Sequence, residues 1–121
     1  MVRALFDTNI LIDYLNAVPE ARDELARYGQ RAISIITWME VLVGAATEVE
    51  AATRAFLDGF SILPLDSLVA ERAVALRKRY RIKLPDAVVW ASADVHSMLL
   101  VTRDRKDFPD DVPGIRVPYR L

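Results

Sequence analysis

The sequence predicts an α/β protein: a single-domain α/β/α sandwich over residues 1–121, with a central, mainly parallel sheet of four or five strands. Three observations carry this. Short apolar runs alternate along the chain with longer stretches of helical periodicity, as in sheets built from strand–helix–strand units. The runs are nearly continuous in apolar residues, the pattern of strands buried on both faces. A chain of 121 residues suffices for one core and is short for two.

Residues 2–6 are a mostly apolar run broken by Arg3, which stops at Asp7-Thr8-Asn9, a trio suited to turns and helix starts. Ile10, Leu11, Tyr14 and Leu15 then recur at helical spacing. Pro19 opens a second helix in which Ala21, Leu25 and Tyr28 share a face before Gly29 ends it. Residues 32–36 form a second strand leading into Thr37-Trp38-Met39-Glu40, where a helix starts and continues toward Ala46. Another helix, over roughly 48–58, buries Val49, Ala52 and Phe56. Residues 60–63 are the third strand. From Asp66 a long helix sets Val69, Ala73, Leu76 and Tyr80 on one stripe. Pro85 suits the first turn of the next helix, and residues 87–95 are almost wholly apolar, as in a helix packed on more than one side. In this helix Trp90 reads as core or interface and His96 as a surface residue near the end. Residues 98–101 are the fourth strand, 102–107 a charged loop, and 115–117 a short last strand.

Composition excludes several chemistries. There is no cysteine, hence no disulfide scaffold, thiol nucleophile or Cys-ligated zinc, and the single His96 cannot build a multi-His metal site. Residues 2–6 follow Met1 directly with no basic and apolar leader, and no uncharged stretch is long enough to span a bilayer, so a cytoplasmic protein without membrane contact is expected. A 53% hydrophobic share with mean hydropathy +0.17 is high for a soluble domain of this size, and suggests apolar surface at an interface, in a homodimer or higher homo-oligomer or against a partner. The net charge of −1 argues against avid nonspecific binding of nucleic acid, so any grip on RNA must be local.

Four carboxylates stand where a strand pattern gives way to a helix or loop: Asp7, Glu40, Asp86 and Asp104. Each has an ordinary explanation. Thr37-x-x-Glu40 reads as a capping box, worth about 1 kcal/mol. Asp86 behind Pro85 sits where a helix dipole favours a negative charge. Asp7 could cap the first helix and Asp104 could be a turn residue. Parallel strands one, two and four would nevertheless bring Asp7, Glu40 and Asp104 to one sheet edge, whereas a right-handed crossover tends to start the helix of Asp86 elsewhere. Clustered carboxylates repel unless a cation neutralises them, and oxygen ligands alone select Mg²⁺ or Mn²⁺. The matching chemistry is phosphodiester hydrolysis, with the ion activating water and stabilising phosphoryl charge.

Four stretches carry a family resemblance: Phe6-Asp7-Thr8-Asn9-Ile10-Leu11, Thr37 to Glu40 at a helix start, Leu84-Pro85-Asp86-Ala87-Val88-Val89, and Leu100-Val101-Thr102-Arg103-Asp104 with Asp107-Phe108. In this order and spacing the chain resembles the PIN-domain family, most of all its VapC-type ribonuclease toxins. The resemblance implies a metal-dependent endoribonuclease with Mg²⁺ or Mn²⁺, an RNA substrate, a cognate antitoxin protein, and an acidic set of Asp7, Glu40, Asp86 and Asp104 that includes the helix of Asp86. The fourth acid lies at Asp104 or Asp107; Asp104 is nearer the strand end and is favoured. Thr8, Asn9, Thr102 and Arg103 are candidates to position substrate, metal or water, beside their ordinary use in turns and caps. Arg103, Arg105 and Lys106 adjoin the acids and read as substrate contacts. The five cations of residues 77–83 read either as phosphate contacts or as a solvated helix end.

Other functions fit less well. A haloacid-dehalogenase-like phosphatase needs an acid where Asn9 stands. A response-regulator receiver would offer Asp66 as phosphoacceptor but lacks a paired-acid start at Asp7. A catalytically idle PIN-like scaffold that binds RNA or protein is the remaining alternative, and the intact acidic set counts against it.

Overall fold

The computed structural model describes residues 2–109 and 111–121. The chain runs β1 (Arg3–Phe6), α1 (Thr8–Leu15), α2 (Pro19–Ala26), β2 (Gln30–Ser34), α3 (Ile35–Gly44), a 3₁₀ turn (Thr47–Val49), α4 (Glu50–Leu57), β3 (Ser61–Leu63), α5 (Ser67–Tyr80), α6 (Leu84–Val95), β4 (Leu99–Val101) and β5 (Ile115–Arg116). The strands form one sheet in the order β3-β2-β1-β4-β5, and every neighbouring pair is parallel.

Alternation along the strands divides the core into two layers. Leu5 and Leu100 pack with Val69, Ala73, Leu76 and the apolar run of α6. Ala4, Phe6, Ile33 and Val101 point the other way, into a cluster with Ile10, Leu11, Leu25, Val41 and Leu57. Helices therefore cover both faces, as expected of the sandwich. Trp90 belongs to the first layer, between Tyr80 (centroids 4.9 Å apart) and Phe108 (6.1 Å).

Chain order reverses beside β1: from there the chain moves outward through β2 to β3, then returns to the opposite side as β4. The carboxyl ends of β1 and β4 thus flank a topological switch point, where open α/β sheets leave a crevice. Asp7 follows β1 and Thr102 follows β4, and the N–H of Asp7 donates to the Val101 carbonyl (2.9 Å).

Several expected boundaries move. The second strand stops at Ser34, because the Ser34 hydroxyl accepts from the Ile36 N–H (3.1 Å) and caps a helix that already includes Ile35 and Ile36. Thr37 and Glu40 are consequently inside α3, one turn apart on one face, and form no capping box. Helix α4 buries Thr53 and Leu57, while Val49 and Ala52 are exposed. His96 is half-buried with Nε2 enclosed and unpartnered among the described residues, because the chain turns sharply through Ser97 (φ 55°) to bring the Met98 N–H onto the Ala93 carbonyl (2.8 Å). Among the described residues no helix is long and apolar enough to cross a membrane.

Candidate active site

The short link from Val95 to Leu99 decides where Asp86 goes. Helix α6 must end at the amino edge of the sheet to feed β4, so its first turn, with Pro85 and Asp86, lies at the carboxyl edge. The crossover expectation that set Asp86 apart is thereby corrected: Asp86, Asp104 and Asp107 each offer an oxygen within 4.8 Å of the others.

Asp7 occupies the N-cap of α1, the capping place its position suggested, and is also the best-held acid of the group. Oδ1 accepts from the Thr8 N–H (2.8 Å), and Oδ2 accepts from the Thr102 hydroxyl (2.8 Å) and Asn9 Nδ2 (3.3 Å). It is 6% exposed. Burial pushes its pKa up to about 6, with the charges of Asp86 and Glu40 acting in the same sense and the Thr102 and Thr8 donors opposing. Asp86 is likewise raised to about 6, first by burial and then by the charges of Asp107, Asp104 and Glu40, with Lys83 opposing.

Glu40 reaches the group through the hydroxyl of Thr8, which donates to Glu40 Oε1 (2.7 Å) and lies 3.0 Å from the Thr37 hydroxyl. Thr8 therefore joins α1 to the Thr37–Glu40 face of α3.

In the 102–107 loop the two candidate acids work together. Asp104 Oδ1 accepts from the N–H groups of Lys106 (2.8 Å) and Asp107 (3.1 Å), a tight turn that folds Asp107 back beside it. Burial works to raise the Asp104 pKa, but the donors from Asp107 and Lys106 outweigh it and hold it below the ordinary range. Asp107 is raised, first by the side chain of Asp104 beside it and then by burial. The turn role foreseen for Asp104 and its place among the acids are one arrangement.

Thr102 and Asn9 knit the two strand ends together. The Thr102 oxygen accepts from the Asp104 N–H (3.0 Å) and from Asn9 Nδ2 (3.3 Å), and Asn9 Oδ1 accepts from the Arg103 N–H (3.0 Å). The Arg103 guanidinium does not face the acids as a substrate contact. It forms a bidentate pair with Asp13, Nε to Oδ2 at 2.6 Å and Nη2 to Oδ1 at 3.0 Å.

The basic run divides as well. Arg77 Nη1 donates to the Ile82 carbonyl (2.8 Å), and Arg79 lies over the Tyr80 ring. Lys78, Arg81 and Lys83 are exposed, with Arg81 in the left-handed region (φ 57°) at the end of α5.

Two buried carboxylates escaped the sequence reading. Asp13 pairs with Arg103 and Tyr119. Glu24 accepts from Arg116 (2.7 and 3.0 Å) and from the Tyr28 hydroxyl (2.9 Å). Both acids sit on helix faces with apolar neighbours, and their arginine partners, Arg103 for Asp13 and Arg116 for Glu24, lie 90 or more residues away, so local pattern gives no sign of either ion pair.

The donor set fits a hard divalent cation. Asp86, Asp104 and Asp107 supply carboxylate oxygens with neither thiol nor imidazole among them, and Asp86 is held near pKa 6. Asp7, also raised to about 6, stands outside this 4.8 Å group, with the charge of Asp86 acting on it. A model of the PIN domain family matches residues 4–111. The chain belongs to the PIN-domain family. In sequence this PIN domain is similar to Ribonuclease VapC10 of Mycobacterium tuberculosis (strain ATCC 25618 / H37Rv), at 33% identity over 113 residues, covering 87% of this chain and 85% of the relative. In structure it is similar to a toxin-antitoxin complex from Klebsiella pneumoniae, with TM-score 0.93 and 48% identity over 98% of this chain and 99% of that one. DNA-bound VapBC from Salmonella typhimurium shares the fold, with TM-score 0.77 and 23% identity over 96% of each chain.

Proposed function

We propose that this PIN domain is a Mg²⁺- or Mn²⁺-dependent endoribonuclease, the toxin of a toxin–antitoxin pair acting in the cytoplasm. The observation that carries the reading is the convergence of Asp86, Asp104 and Asp107 within 4.8 Å, beside a buried Asp7 of raised pKa. Similarity to a ribonuclease and to a toxin-antitoxin complex supports the same activity and partner.

Asp7, Asp86, Asp104 and Asp107 would hold the ion, with Glu40 at the rim. Bound there, a divalent cation lowers the pKa of water and offsets charge developing on the phosphoryl group. Asp7 is fixed by three donors, so it meets a ligand without reorganising. Glu40 is exposed and anchored by Thr8 at Oε1, which leaves Oε2 to accept a proton from the attacking water. Lys83 and Lys106, whose charges reach the acidic loop, suit the flanking phosphates of a bound RNA.

For the antitoxin, the fitting surface is an apolar groove of about 610 Å³ between α1, α3 and α4, lined by Ile12, Leu15, Val41, Val49 and Ala52. The exposure of Val49 and Ala52, against the sequence expectation, is what opens it. Incubation with RNA in Mn²⁺ and in EDTA tests the activity: cleavage in the first and none in the second is expected, and undiminished cleavage in EDTA would refute it.

A further inference from the structure

Helix α1 holds residue 103 at both ends. Asn9 and Asp13 lie one turn apart on that helix. The first accepts the backbone N–H of Arg103 (3.0 Å), and the second accepts its guanidinium through two bonds (2.6 and 3.0 Å). Asp13 is 4% exposed, so its charge must be met inside the protein, and Arg103 and the Tyr119 hydroxyl (2.7 Å to Oδ2) meet it. Arg103 stands between Thr102, which binds Asp7, and Asp104, which closes the acidic turn. The strand bond from the Thr102 N–H to the Arg116 carbonyl (3.0 Å) ties the same loop to the C-terminal segment that carries Tyr119.

We infer that Asp13, Arg103 and Tyr119 form a positioning clamp, which sets the Asp104–Asp107 turn at the distance from Asp86 needed to take up a divalent cation. None of the three belongs to the acidic cluster. They act through the backbone of residues 102–104, as outer partners of metal ligands do. The inference deepens the metal-nuclease reading and rests on it.

The clamp can be separated from general stability because its charges cancel. Arg103→Met leaves Asp13 buried and unpaired and should unfold at lower temperature, whereas Asp13→Asn with Arg103→Met removes both charges and should restore much of the melting temperature. Calorimetric titration of Mn²⁺ into the full chain is the readout. The double variant, though folded, should bind Mn²⁺ on the order of tenfold more weakly than the unsubstituted protein. Tyr119→Phe, which removes one hydroxyl and keeps the ring, should weaken binding in the same direction. In the double-variant background it should add little, because its partner acid has lost its charge. Mn²⁺ affinity in the double variant equal to that of the unsubstituted protein would overturn the clamp while leaving the acidic site standing. Absence of Mn²⁺ binding in the unsubstituted protein would instead remove the metal reading on which the clamp depends.

Discussion

The hydroxyl of Thr102 donates to Asp7 Oδ2 over 2.8 Å and joins the carboxyl ends of two adjacent parallel strands, β1 and β4. The same oxygen accepts from the Asp104 N–H, so one fully buried side chain fixes an acid on each side of the crevice. Thr102→Val keeps the shape, takes the closest donor from Asp7 Oδ2 and leaves the Asp104 N–H without its acceptor. It should destabilise the protein by about 2 kcal/mol and lower cleavage at least about tenfold, whereas Thr102→Ser should recover most of both. Melting and RNA cleavage measured on the two variants check this, and an active, stable Thr102→Val would contradict it.

The acidic cluster also fixes how metal-free stability depends on pH. Asp7 has a folded pKa of about 6 against an ordinary 3.8, so between those values the folded state holds a proton that the unfolded chain has released. The Asp7 contribution to stability is full below about 4 and is lost as pH rises to about 6, about 3 kcal/mol for a group so buried. Asp86 acts in the same direction. Glu24 and Asp104 are lowered and act oppositely, losing their contribution as pH falls below the ordinary carboxylate range, which leaves pH 5 to 7 as the informative window. In EDTA the melting temperature should be higher at pH 5 than at pH 7. Asp7→Asn should flatten that difference, and Mn²⁺ should raise the pH 7 value.

Within the loop, Asp104 and Asp107 make unequal contributions. Asp104 is held by two N–H donors that lower its pKa, whereas the pKa of Asp107 is raised, first through its side-chain contact with Asp104. Asp104→Asn should therefore cost more Mn²⁺ affinity and more cleavage than Asp107→Asn. Parallel calorimetry and cleavage assays read the order, and a reversed order would make Asp107 the principal loop ligand.

Arg81 presents a conflict between stability and charge. It ends α5 at φ 57°, a conformation glycine adopts more easily, and its side chain is exposed. Arg81→Gly should raise the melting point, through a gain of roughly 1 kcal/mol. If the cations of this segment hold RNA phosphates, the same change should raise KM at low salt, with a smaller effect at high salt. A KM that stays the same at every salt concentration would assign Arg81 to a solvated helix end.

The strand–helix order and both layers of the core were legible because each rests on local pattern: apolar runs for the strands and a four-three-four stripe on α5. Asp7 and Asp104 stand just past strand ends as read, whereas the place of Asp86 follows only from the topology. Boundaries shifted where a side chain chose between two caps, as Ser34 did in drawing Ile35 and Ile36 into α3. Thr37 and Glu40 looked like a cap because their spacing suits one, yet the same spacing puts them on one helix face, where Thr8 meets them. Arg103 looked like a substrate contact for its place in the sequence, and only the tertiary fold reveals Asp13 as its partner. Pairs of this kind, 90 residues apart, leave no trace in hydrophobic periodicity.

The metal and the chemistry are tested most directly by measuring them together. Mn²⁺ is titrated into the protein by calorimetry, and RNA cleavage is followed across the same concentrations, for the unsubstituted chain and for Asp86→Asn. Cleavage should rise along the binding curve, and Asp86→Asn should lose binding and cleavage in step. Cleavage at full rate with no ion bound, or an Asp86→Asn protein that cuts RNA as the unsubstituted one does, would contradict this.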